Sequence, residues 1–310
     1  MTGRVGLSDS FAVRARLRRW PSGRALLRAL RLRQWTKNGV VFAVLVFGGE
    51  LFEAGSLARA AAAAVLFCAA SSAVYLVNDL RDVAGDRAHP TKRDRPIAAG
   101  LVRPAQAALA AAALVVLALG GAWLIGSPFL AVVAGYLALM LAYSFGLKRL
   151  AIVDVGAIAA GFVLRAVGGA AAIGAPVSPW LSLCALLLAL VLGFGKRRHE
   201  LSALGAAAAR HRANLAAYSL PLLDRLIGAV ASATVAAYAV YAVDAPNAPP
   251  NHAMLLTVPF VAFALVRYLY LLHRRGLGGA PEELLVADPP LLSCIAGWGL
   301  TSLAVLYLVR

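Results

Sequence analysis

The residues best suited to chemistry lie in one short stretch, Asn78-Asp79-Leu80-Arg81-Asp82-Val83-Ala84-Gly85-Asp86. On a helix turning about 100° per residue, offsets of three and seven place Asp79, Asp82 and Asp86 within about 60° of one another. Three carboxylates then face one point. Like charges at this spacing weaken a helix, and they cost more at the edge of a membrane, so a divalent cation is the natural counter-charge. Mg²⁺ combines a few carboxylate oxygens with water and substrate phosphates, which suits a cluster open on one side. The alternative is a solvated acidic helix end balanced by Arg81 and Arg87. In a chain with only 14 acidic residues, three aligned Asp favour the metal.

Directly downstream, His89-Pro90-Thr91-Lys92-Arg93-Asp94-Arg95-Pro96 supplies three cations between two prolines. Guanidinium forks and an ammonium beside a metal make a phosphate clamp. His89 has no second His or Cys near it and reads as a loop residue.

The elements that must position these groups are membrane helices. Of the 310 residues 61% are apolar and 14% charged, and the mean hydropathy is +0.78. That composition excludes an ordinary soluble domain. A helix needs about 20 apolar residues to cross the hydrocarbon core. Runs of this kind predict nine spans, at 39–53, 58–78, 105–126, 128–147, 150–174, 179–196, 226–244, 253–272 and 290–309. The expected organisation is a basic tail over 1–37 and one nine-helix domain over 38–310, with no room for a separate soluble domain. The tail lacks the apolar core and cleavage site of a secretory signal. Cys68, Cys184 and Cys294 have no metal spacing and read as small apolar residues.

The net charge of +16 raises nucleic acid as a partner, but the distribution of the cations answers otherwise. With the N-terminus inside, 26 of the 30 Lys and Arg fall in the tail and the cytoplasmic loops, as the positive-inside rule requires. Nucleic acid is not needed. The expected location is therefore the inner (plasma) membrane, multi-pass, with the charged motif facing the cytoplasm. Within the tail, Arg24 to Lys37 mixes Leu26, Leu27, Leu30 and Trp35 with basic residues, the pattern of a helix lying in the interface. It reads as an anchor to anionic lipid or as a part of the site.

Two ionisable residues fall inside the fifth expected span. Asp154 and Arg165 project to nearly the same side, about 16 Å apart along the axis, and intramembrane charges mark functional positions by default. Asp154 is placed to bind metal or to pair with Lys148. For Arg165 a substrate role and a structural one stand equally open. Arg267 is expected to snorkel to the interface, and Tyr143 reads as an aromatic-belt residue.

The stretch NDLRDVAGDR resembles the first Asp-rich motif, NDxxDxxxD, of the UbiA-type intramembrane prenyltransferases that make ubiquinone, menaquinone and haem O precursors. The resemblance covers nearly the whole chain, and that family's fold also has nine spans. Members usually carry a second Asp-rich motif after the sixth span. Here that place reads Gly195-Lys196-Arg197-Arg198-His199-Glu200-Leu201, with one carboxylate among three cations. One branch is similar on this point: the actinobacterial decaprenyl-phosphate phosphoribosyltransferases. The similarity also includes Arg33 to Asn38, His89 to Arg93, Arg95 to Gly100, and Tyr143 to Lys148, and more weakly Gly278 to Glu283.

What the resemblance implies is a Mg²⁺-dependent pentosyltransferase that moves 5-phosphoribose from phosphoribosyl pyrophosphate to decaprenyl or another polyprenyl phosphate, for a cell-wall arabinan precursor. Asp79, Asp82 and Asp86 would be the catalytic, metal-binding acids. The implied substrate ligands are Lys37, Asn78, Lys92, Arg93, Arg95, Tyr143, Lys148, Arg165, Lys196, Arg197 and Glu200. Partners would be the two substrates and the lipid bilayer, with a homo-oligomer left open. An aromatic-acceptor prenyltransferase of the quinone or haem O type, and a transporter of anionic lipid, remain the alternatives.

Overall fold

The computed structural model describes residues 22–89, 91–205, 213–244 and 249–309; the tail before residue 22 and the loop cations Arg210 and Arg212 lie outside the described residues. All the regular structure described is helical. Eight helices are long and apolar enough to cross a membrane: Ala54–Arg81 (α3), Pro104–Ile125 (α5), Ser127–Phe145 (α6), Val153–Ile173 (α7), Pro179–Leu204 (α8), Leu220–Asp244 (α9), Ala253–Arg274, which opens with a 3-10 turn before Val258–Arg274 (α10), and Pro289–Leu308 (α12). Short helices complete the set at Ser22–Ala29 (α1), Ala43–Phe47 (α2), Val83–Ala88 (α4) and Pro281–Ala287 (α11).

The boundaries follow from local chemistry. Helices α5, α6, α8, α10 and α12 each carry Pro in the first turn, where the missing N–H has no intrahelical partner to lose. Ser178 and Asp288 cap α8 and α12 by accepting from the backbone N–H groups of Leu181 and Leu291. Helix α8 runs well past residue 196, so Lys196, Arg197 and Glu200 sit on a helix and not in a loop.

The first expected span, 39–53, is not one of the eight. Residues Leu32–Phe42 form a 3-10 helix and only Ala43–Phe47 is α-helical. Gly48, Gly49 and Glu50 then stop the helix, with Gly49 in the left-handed region at φ 79°. This segment closes the bundle. It packs on α7, and Tyr307 of α12 donates to the carbonyl of Val46 at 2.9 Å while accepting from the N–H of Leu51 at 3.2 Å.

The two larger of four apolar clusters fill most of the bundle, one around Phe67, Phe129 and Tyr136, the other around Val155, Phe194, Ile227, Tyr268 and Leu271. Helix α7 contributes to both. Its small residues let neighbours come close, as helix contacts in lipid require. The outer faces are apolar too: Leu109, Val116, Leu117, Trp123 and Leu124 of α5 are exposed, which is the expected solution where the solvent is lipid.

Gly169 shows how tight these contacts are, because a Cβ there would stand 2.0 Å from the backbone oxygen of Val41. Gly169→Ala must push the 3-10 segment off α7 and is expected to destabilise by at least about 1–3 kcal/mol, the range for overpacking a filled interior. Gly156→Ala in the same helix, where nothing lies within 4 Å, is the control. Thermal denaturation in detergent should separate the two; equal midpoints would contradict this packing.

Candidate active site

The ends of α3, α6, α7 and α8 meet in one charged region. Asp79 is 2% exposed and Asp86 4%, so each needs a partner. A single atom serves both: Nη1 of Arg95 lies 3.1 Å from Oδ1 of Asp79 and 2.7 Å from Oδ2 of Asp86. Backbone hydrogen bonds run through the break at Asp82, from Asp82 N–H to Asn78 and from Asp86 N–H to Asp82, so the helical spacing that aligns 79 with 86 survives. Asp82 is turned aside. Its two oxygens take Nζ of Lys148 at 2.7 Å each, and the same ammonium donates to Oδ1 of Asn78 at 3.1 Å.

Arg31 joins this cluster although the sequence did not single it out. Its Nη2 donates to Oδ1 of Asp79 at 2.5 Å, and its guanidinium lies 4.8 Å from the centre of the Tyr75 ring. It does so from a left-handed backbone, φ 55° and ψ 53°, a conformation that costs a non-glycine residue roughly 1–2 kcal/mol. Buried Ala25 and Ala29 dock α1 against Leu76, Ile97 and Val102, while Leu27, Leu32 and Trp35 stay exposed. The indole of Trp35 donates to Ser72. The only signal for Arg31 was its place beside the motif's helix, hidden among ten basic tail residues.

The basic half is built on α8. Arg197, 2% exposed, donates from Nε to Asp154 at 2.7 Å and from Nη1 to Glu200 at 2.8 Å. Asp154, which the sequence offered to Lys148 or to a metal, takes Arg197 instead. The phenol of Tyr218 also donates to Asp154 at 3.1 Å while accepting from the N–H of Ile152 at 2.5 Å. Burial pushes the Tyr218 phenol up to about 12, so it keeps the proton it donates. Tyr143 ends α6 within electrostatic range of Arg197. Lys196 is half-buried beside it.

The connection between α6 and α7 joins the halves. Within five residues it sends Lys148 to Asp82 and the Ile152 N–H to Tyr218. Lys92 and Arg93 lie on a short 3-10 turn next to Arg95, Lys92 half-buried and Arg93 exposed. Lys37 lies on the 3-10 segment between Trp35 and buried Asn38. Arg165 is not brought to the acidic cluster. It donates to Oδ1 of Asn38, the carbonyl of Gly161 and the phenol of Tyr136, at 2.7–2.8 Å, and lies over the Tyr136 and Phe162 rings. These contacts tie α7 to α6 and to the first segment. Arg267 reaches Asp288 with both ends of its fork.

Among the described residues no three Asp, Glu, His or Cys side chains converge as a metal-ligand set, so the three-carboxylate convergence expected from the helical spacing is not present: Asp79 and Asp86 share Arg95 while Asp82 goes to Lys148. The sequence profile of the UbiA prenyltransferase family matches residues 39–280. The chain belongs to that family. It is 36% identical over 297 residues to the decaprenyl-phosphate phosphoribosyltransferase of Mycolicibacterium smegmatis, covering 91% of this chain and 92% of the relative. With the enzyme of the same description from Corynebacterium glutamicum it shares 35% identity over 290 residues, covering 92% and 87%. Among solved structures, a UbiA homologue from Archaeoglobus fulgidus bound to GPP and Mg²⁺ superposes with a TM-score of 0.72 at 20% identity, covering 91% of this chain and 99% of that one. This last likeness concerns the fold.

The buried pairs predict their own mutational signature. Asp154→Ala strands Arg197 with one carboxylate fewer and is expected to destabilise by about 3–5 kcal/mol. Tyr218→Phe loses two hydrogen bonds, one to the buried carboxylate of Asp154 and one from the Ile152 N–H, for about 1–3 kcal/mol. Thermal denaturation in detergent should rank them in that order, both below wild type. An unchanged midpoint for Asp154→Ala would contradict the pairing.

Proposed function

We propose that this UbiA-family protein transfers 5-phosphoribose from phosphoribosyl pyrophosphate to decaprenyl phosphate or a similar polyprenyl phosphate, releasing diphosphate. The observation that carries the reading is the asymmetry of the site: an acidic half on Asp79, Asp82 and Asp86, and a basic half on α8 where a second acidic cluster would serve a prenyl diphosphate donor. The relatives over about 90% of the chain bear the same activity in their descriptions.

We read the acidic half as the place of a divalent metal on the strength of Asp79 and Asp86, and Asp82 would have to leave Lys148 to join them. Its donors are hard carboxylate oxygens, and Arg95 already bridges two of them from one atom. Asp79, Asp82 and Asp86 would hold Mg²⁺, with water and diphosphate oxygens filling the remaining positions. Bound there, the ion would neutralise charge on the departing diphosphate. Arg95 and Lys92 add electrostatic stabilisation, with Arg93 at the rim of the clamp, and Lys148 holds Asp82 and Asn78 in register. On the basic half Lys196 takes the phosphate of the lipid. Arg197, already held by Asp154 and Glu200, fixes this end of α8, with Tyr143 in electrostatic range of it. Arg165 acts as a structural tie.

The acceptor oxygen is anionic at neutral pH, so no general base is required. As diphosphate departs, the anomeric carbon is attacked directly. A double displacement would need a carboxylate at that carbon; Asp154 and Glu200 are both committed to Arg197. The exposed apolar faces leave room for the isoprenoid between helices and lipid.

The same reading supplies the ninth crossing and the orientation. At about 2.0 Å rise per residue in 3-10 geometry and 1.5 Å in α, Leu32–Phe42 and Ala43–Phe47 together reach about 30 Å, the thickness of the hydrocarbon core. The positive-inside count places the charged end in the cytoplasm of a plasma membrane, where a soluble sugar donor is available.

Purified protein with Mg²⁺, phosphoribosyl pyrophosphate and polyprenyl phosphate should release diphosphate only when the lipid is present; prenylation of an aromatic acceptor from a prenyl diphosphate would contradict the reading. Asp82→Ala should abolish transfer in a folded, extractable protein, and activity within about threefold of wild type, or persisting in excess chelator, would overturn the metal assignment. Lys196→Ala should raise KM for the lipid by about 10- to 150-fold, the loss of one charged hydrogen bond, with KM for the sugar donor little changed. The opposite order would exchange the two halves.

A further inference from the structure

Beside Asp79 lies a cavity of about 190 Å³ lined by Arg28, Arg31, Asp79, Thr91, Asp94 and Arg95. Three guanidiniums surround it, and the carboxylate of Asp79 is shared by two of them, Arg31 and Arg95. Arg28 and Arg31 come from α1 and the turn that follows, a segment otherwise suited to lying on the membrane. Arg95 is already shared between Asp79 and Asp86, and Arg31 is held in place by Asp79 and the Tyr75 ring. Arg28 is exposed at the cavity's edge. Guanidinium forks arranged in this way recognise a phosphate monoester, while Thr91 and Asp94 offer oxygens to neighbouring hydroxyls.

We infer that this cavity is the subsite for the 5-phosphate of the ribosyl donor, read by Arg28 and Arg31 with Arg95 between it and the diphosphate. The inference rests on the proposed transfer reaction and adds what selects the donor. In phosphoribosyl pyrophosphate the 5-phosphate and the diphosphate are borne on opposite sides of one ribose ring, C5 and C1. The cavity and the Asp79–Asp86 pair are likewise joined through one residue, Arg95. A prenyl diphosphate has nothing to place there. Helix α1 thus works as a wall of the donor site, held by Ala25 and Ala29 against the core.

The test pairs two donors with two variants. Wild type is compared with Arg28→Ala and Arg31→Lys, using phosphoribosyl pyrophosphate and ribose 1-diphosphate, which lacks the 5-phosphate. Wild type should prefer the phosphorylated donor in kcat/KM. Arg28→Ala should lose about 10- to 150-fold with that donor and change little with ribose 1-diphosphate, so the preference collapses; Arg31→Lys, which also disturbs Asp79, should lose more with phosphoribosyl pyrophosphate than with ribose 1-diphosphate. Arg28 is exposed, so Arg28→Ala keeps the fold intact. Binding of ribose 5-phosphate to the detergent-solubilised protein, measured calorimetrically, should weaken to the same extent. Equal losses with both donors, or no loss with either, would overturn the assignment and leave Arg28 a headgroup anchor. Wild-type protein inert toward both donors would instead overturn the parent reaction and the subsite together.

Discussion

The site depends on one nitrogen, Nη1 of Arg95, shared by two buried carboxylates. Asp79 and Asp86 sit at the margin of an apolar bundle, where an unpaired charge costs several kcal/mol. Each charged residue there recruits a partner from another element: Arg95 from the loop after α4, Arg31 from the tail, Lys148 from the α6–α7 connection. The pairing decides which ends meet. On the basic side Arg197 does the same for α7 and α8 through Asp154. The result is a rim of alternating charge whose members neutralise one another.

The strap between α6 and α7 makes the two halves one site. Lys148 and Ile152 are four residues apart, yet one holds Asp82 and the other reaches Tyr218 and, through it, Asp154. A movement of this strap would change both halves together. The opposite end of the bundle is poor in such pairs: a Trp180 to Asp244 hydrogen bond and a Ser56 to Glu50 hydrogen bond are described there. The described ion pairs that link separate elements thus gather at the end rich in Lys and Arg.

Much of this was legible in the sequence, because lipid restricts the backbone to helices and the apolar runs mark them. Six of the expected spans beyond the first match described helices to within four residues at each end; the sixth span, 179–196, stops eight residues short because charged residues continue on the helix past the apolar stretch, and the seventh, 226–244, starts six residues late. The first was misjudged as an ordinary α-helix: Asn38, buried to hold Arg165, and Gly48 with Gly49 leave too little α-helical run. The alignment of Asp79 with Asp86 followed from periodicity. The partners did not, since Lys148, Arg31 and Arg95 are separated from their carboxylates by nine to sixty-six residues, and local spacing says nothing about such distances. Asp154 was noticed as an intramembrane charge but given the wrong partner for the same reason.

If the acidic half holds the departing diphosphate and the basic half holds the lipid phosphate, the two groups flank the ribose from opposite sides. The configuration at the anomeric carbon of the product reports this directly. NMR of the lipid-linked phosphoribose made from the α-configured donor should show a β linkage, the result of one inverting displacement. An α linkage would contradict the account and require either a covalent ribosyl-enzyme or both phosphates on one face.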